Sequence, residues 1–108
     1  HGTKLLFVTA PSPVNHTMQR HNAVQALADN LGVPYIDLNL NTEELGIDWN
    51  LDTLDGGDHI NYNGCRKVTV YLQQYLQAHY TLPDRRKDAR YEAWNKRAAE
   101  FEKLLPQT

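Results

Sequence analysis

The chain has 108 residues, one domain's worth, with 41% hydrophobic and 22% charged residues and a net charge of −2, a soluble, globular composition with no overall nucleic-acid footprint. One cysteine, Cys65, excludes an internal disulfide framework and cannot by itself make a metal site. No apolar run approaches the ~20 residues of a membrane span, and the amino terminus lacks a signal-peptide pattern, although the abrupt opening at His1-Gly2 is compatible with a removed targeting segment.

Residues 4–10 (Lys-Leu-Leu-Phe-Val-Thr-Ala) form a nearly continuous apolar run, which predicts a strand covered on both faces in a parallel sheet; Pro11-Ser12-Pro13 ends it. Over residues 18–31, Val24, Leu27, Ala28 and Leu31 fall at helical spacing, and Gly32 is placed to close the helix. Residues 33–38 read as a second strand with Pro34 at its entrance. Strand, helix, strand with tight connections is the βαβ signature.

Residues 39–63 make a long acidic connection that holds Glu43, Glu44, Asp48, Asp52, Asp55 and Asp58, with room for one helical turn at Glu43-Glu44. A structureless loop of this length tends to be functional. Residues 64–80 form a helix whose stripe of Val68, Leu72, Tyr75, Leu76 and His79 should pack on the sheet. After the break at Leu82-Pro83, a helix over residues 87–105 carries Tyr91, Trp94, Ala98, Phe101 and Leu105, a stripe expected in the core. The chain therefore divides at about residue 82 into an α/β part, residues 1–82, and an amphipathic helical extension, residues 83–108. Two strands are too few for a stable open sheet, which normally has about four to six. Further strands are expected from a partner or from a larger fold.

The organising stretch is Asp55-Gly56-Gly57-Asp58-His59-Ile60-Asn61-Tyr62-Asn63-Gly64. Paired glycines and the Asn turn formers put His59 on a loop tip, where an imidazole with carboxylates one and four residues before it can act as a general base. From physics alone, a polar loop capping a helix is the simpler reading. Elsewhere, His16, Arg20 and His21 sit at a helix start near the carboxyl end of a strand, open to substrate contact but read first as exposed polar residues. Asp48, Asp52, Asp55 and Asp58 match no EF-hand spacing and read as a solvated loop. Arg85, Arg86, Lys87 and Arg90 read as helix-flanking charge paired with Asp84, Asp88 and Glu92. Cys65 is expected to pack.

The same loop, followed by Lys67-Val68-Thr69 and a Tyr-Leu-x-x-Tyr-Leu helix, resembles the C-terminal block of SGNH (GDSL-type) hydrolases. The strand ending Thr-Ala-Pro, the helix through Leu27-Ala28 and the run Gly-Val-Pro-Tyr-Ile-Asp-Leu-Asn are similar to the last βαβ portion of that flavodoxin-like, three-layer α/β/α fold. The segment from Leu82 to Trp94 is similar to the C-terminal extension of bacterial envelope members. The resemblance implies ester or acetyl-ester hydrolysis by a serine, with His59 as base, an aspartate as its orienter and no cofactor. The usual aspartate lies three residues before the histidine, where this chain has Gly56; Asp55 is the choice and Asp58 the second, because neighbouring side chains on extended backbone point apart. The family's Gly-Asp-Ser nucleophile motif is absent, and Ser12, the one serine, sits between prolines as a turn residue. The expectation is therefore an envelope esterase's C-terminal segment, inactive alone, acting on an acylated carbohydrate or envelope substrate once completed by a missing N-terminal half or another chain. The competing class is a non-catalytic α/β binding module with a vestigial His59 loop.

Overall fold

The computed structural model describes residues 2–105. It is a mixed α/β protein with four α-helices and a two-stranded parallel sheet among the described residues. The chain divides into two compact units, residues 1–75 and 76–108.

In the first unit, β1 (Phe7–Thr9) and β2 (Tyr35–Asp37) run parallel with Phe7 opposite Tyr35 and Thr9 opposite Asp37. Both strands are shorter than the apolar runs that predict them. Prolines bound the pairing: Pro34 lacks a donor and enters β2 only through its carbonyl, which accepts from Phe7 N–H at 2.9 Å, and Pro11 lies just beyond β1. The expectation that β1 is covered on both faces fails, since Val8 is 40% exposed; two strands alone offer nothing to bury its outer side.

Helix α1 (Met18–Leu31) joins the strands. It begins at Thr17, whose hydroxyl accepts from Arg20 N–H at 3.2 Å, and ends at Gly32, whose φ of 62° lets its N–H turn back to the last carbonyls. Ala28 is buried, yet Leu27 and Leu31 on the same predicted face stay exposed. The long connection is not structureless: a 3-10 turn (Leu38–Asn41), helix α2 (Thr42–Leu45) and an antiparallel bridge between Thr53 and Ile60 occupy it. Helix α3 (Tyr62–His79) starts two residues before the predicted start, because Asn61 Oδ1 accepts from the N–H groups of Asn63 and Gly64 and caps it there. Ile36, Leu38 and Leu45 form the core, and Val68, Tyr71, Leu72 and Tyr75 of α3 pack against it.

The second unit holds the last turn of α3, a 3-10 turn (Ala89–Tyr91) capped by Asp88, and α4 (Glu92–Glu102). Three of its arginines pair locally, Arg86 with Asp84 and both Arg85 and Arg90 with Asp88. The predicted core stripe is instead open: Trp94 is 69% and Phe101 53% exposed. Among the described residues, no helix is long and apolar enough to cross a membrane.

Candidate active site

The His59 loop is built as a tight reversal on a fixed base. Gly56 and Gly57 adopt φ values of 69° and 108°, and a Cβ at Gly57 would lie 2.8 Å from Pro13 Cγ, so both the conformation and the close approach exclude a side chain there. Leu54 N–H donates to His59 O at 2.9 Å, and Asn61 N–H donates to Asp52 O at 2.8 Å, closing the loop's neck beside the Thr53 to Ile60 bridge.

The reversal returns Asp55 to His59. Its Oδ1 accepts from the His59 backbone N–H at 2.7 Å, and its Oδ2 faces His59 Nδ1 at 2.6 Å. One carboxylate thus fixes both the backbone and the ring. Asp58, expected to point away, lies with Oδ2 3.5 Å from the same Nδ1, while its Oδ1 accepts from Asn15 Nδ2. The divergence of neighbouring side chains holds for extended backbone, and residues 58 and 59 sit in a bend.

The ring is 68% exposed. Its hydrogen bond to Asp55, followed by the charges of Asp58 and Asp55, raises the imidazole pKa above its ordinary value, and the same bond lowers that of Asp55. A carboxylate at Nδ1 holds the proton there and leaves Nε2 as the basic nitrogen, the arrangement a general base requires. Asp55, Asp58 and His59 also each offer one ligand atom within 4.8 Å of the others, so two hard oxygens and an imidazole could hold a divalent cation. A cation bound through Nδ1 would replace the hydrogen bond that orients the ring, making the two uses exclusive.

Ser12 does not join this group. Its Oγ accepts from Asn15 N–H at 3.2 Å and its own N–H donates to Asn39 Oδ1 at 2.7 Å, both roles belonging to the turn after β1. The acidic residues also separate. Asp52 is buried, not solvated; it accepts from Asp48 N–H at 2.8 Å and from Lys67 Nζ at 2.5 Å. Burial acts to raise its pKa, but these bonds prevail and hold it below the ordinary carboxylate value. Cys65 is exposed, against the expected packing role: it points off α3 while neighbouring Gly64 takes the buried position.

A second imidazole and carboxylate group went unpredicted. His16 and His21 are partly buried rather than exposed polar residues, because both face Asp37 Oδ2, with Nδ1 at 3.6 Å and 2.8 Å. The Asp37 side chain is 1% exposed. Burial alone would raise its pKa, yet the Asn39 side-chain and backbone N–H groups, with His21, hold it below the ordinary value. The available signal was a carboxylate at the end of an otherwise apolar strand, since a charge there is kept only when paired. No protein-family model matches the chain, and no curated protein or solved structure matches it.

Proposed function

We propose that this chain carries the base half of a serine-dependent ester or acetyl-ester hydrolase site of SGNH type, as the C-terminal portion of a flavodoxin-like α/β/α domain. His59 is the base, Asp55 its orienter and Asp58 an auxiliary charge, with the serine supplied from outside these 108 residues. The observation that carries this reading is the 2.6 Å contact between Asp55 Oδ2 and His59 Nδ1, on a loop that leaves the ring accessible. Nε2 takes the serine proton as Oγ attacks the acyl carbon, Asp55 stabilises the resulting imidazolium, and the proton then passes to the leaving alcohol oxygen. The substrate class is an acylated carbohydrate or other envelope ester, and the chemistry needs no cofactor.

The competing reading is a non-catalytic α/β binding module, and it draws on the engagement of Ser12 in its own turn. Hydrolysis of p-nitrophenyl acetate separates the two. The isolated chain is expected to be inert, whereas the serine-bearing parent is expected to turn over and to lose that activity in His59→Ala without loss of fold. Parent activity that survives His59→Ala overturns the assignment.

A further inference from the structure

A cavity of about 420 Å³ opens in the first unit at the carboxyl ends of β1 and β2, the end of a parallel sheet at which ligand crevices form. It falls in the size range of small-molecule sites and is larger than an inorganic ion requires. Ala10, Ala23 and Val24 contribute apolar wall, while His16, His21 and Arg20 contribute the polar groups.

The buried Asp37 makes these groups more than a surface cluster. Its Oδ1 accepts from Asn39 N–H at 3.0 Å and Asn39 Nδ2 at 2.9 Å, and its Oδ2 faces both imidazoles, so its acceptor sites are filled by the protein. Each ring thereby turns Nδ1 inward and retains Nε2 as its other polar position. A ring that carries both protons presents Nε2 to the cavity as a donor. Arg20 adds a permanent cation, steadied by an Nη1 bond to Asn15 O at 2.5 Å, and it has no ion pair among the described residues. Asp37 is the one acid lining the cavity among the described residues, and it is already paired. The balance left for a ligand is positive.

We propose that this cavity is a binding site for a small organic oxyanion, a phosphate monoester or a carboxylate, gripped by Arg20 and by the Nε2 atoms of His16 and His21 with its apolar body against Ala23 and Val24. The site needs no nucleophile and stands apart from the His59 reading. The charged and titratable groups facing the rings are Asp37, Arg20 and Tyr35, whose ring centroid lies 5.6 Å from that of His21.

The test is an amide and imidazole NMR titration of the full 108-residue chain with phenyl phosphate, benzoate and inorganic phosphate. Saturable shifts at Arg20, His21 and Ala23 are expected. A preference for phenyl phosphate identifies a phosphoryl ligand, and one for benzoate a carboxylate. Arg20→Gln, an exposed position that leaves the fold intact, should weaken binding about tenfold or more, the loss of a charge-assisted contact. His21→Gln should weaken binding, and His59→Ala should bind as wild type. No saturable shift with any probe, or Arg20→Gln binding as wild type, overturns the proposal.

Discussion

Replacing Gly64 with alanine sets two effects of known sign against each other. Gly64 is the third residue of α3 and is buried; a methyl group there would lie 2.6 Å from the Asp52 carbonyl oxygen and 3.0 Å from Ile60 Cβ. Helix propensity favours alanine by at most about 1 kcal/mol. Overpacking opposes it by about 1–3 kcal/mol. The atom struck is backbone rather than a movable side-chain end, and it already accepts from Asn61 N–H at 2.8 Å. Relief therefore means pulling Asp52 away from Asn61, which adds about 1 kcal/mol for the weakened hydrogen bond. The net expectation for Gly64→Ala is a loss of about 1–3 kcal/mol, or roughly 5 °C in Tm per kcal/mol for a domain of this size. Urea denaturation followed by far-UV circular dichroism reads the change, with an unchanged m-value showing that native stability moved. A variant as stable as wild type, or more so, would mean that propensity wins and that the loop neck does not press on α3.

Lys67→Met should cost about 2–4 kcal/mol in the same assay, since it strands the buried Asp52 carboxylate and removes the 2.6 Å bond from Nζ to Gly46 O. Asp52 has a lowered pKa, so its contribution is present above the ordinary carboxylate range and lost as pH falls through the lowered value; Lys67→Met should flatten that acid limb, and a wild-type limb would contradict the pairing. Asp55→Asn should bring the His59 midpoint, read by NMR, down towards the ordinary imidazole value, and Asp58→Asn should do so less, in the order of the causes that raise it. By linkage, the raised His59 contributes stability below its unfolded pKa that is lost as pH rises through the folded one, while the lowered Asp55 contributes above the carboxylate range; Asp55→Asn should abolish the Asp55 limb and shrink the His59 one, whose remainder comes from Asp58. Leu38→Ala, at a fully buried position, should cost about 2–5 kcal/mol in urea, and a cost below about 1 kcal/mol would show that the small core does not carry the fold.

Local chemistry decided which parts of the fold were legible. Thr17 and Gly32 bracket α1 because a hydroxyl acceptor and a left-handed glycine satisfy its end groups without help from the rest of the chain. Strand length and burial were not legible, since apolar runs report what residues could be covered by, not what is there to cover them. Val8, Leu27, Trp94 and Phe101 are all apolar positions of predicted faces that remain exposed, and periodicity alone cannot distinguish a buried stripe from an exposed one. The turn at Thr42–Leu45 inside the acidic connection was legible only as Glu43-Glu44 at a helix start, because its stability rests on Leu45 reaching the core.

The two imidazole groups show the same division at the level of chemistry. Asp55 and His59 lie four residues apart, so their meeting depends on one turn, and the paired glycines announce that turn. Asp37 and His21 are sixteen residues apart and meet only because α1 returns the chain beside β1 and places its first turn over the end of β2. No motif at either residue encodes that contact. What the chain does show is an unusual cost: aspartate ends an otherwise apolar strand, in a position whose burial would leave a lone carboxylate several kcal/mol short of its hydration. Such a residue implies partners before any are known: Asn39, two residues on, serves one carboxylate oxygen, and the histidines at the entrance of the preceding helix serve the other.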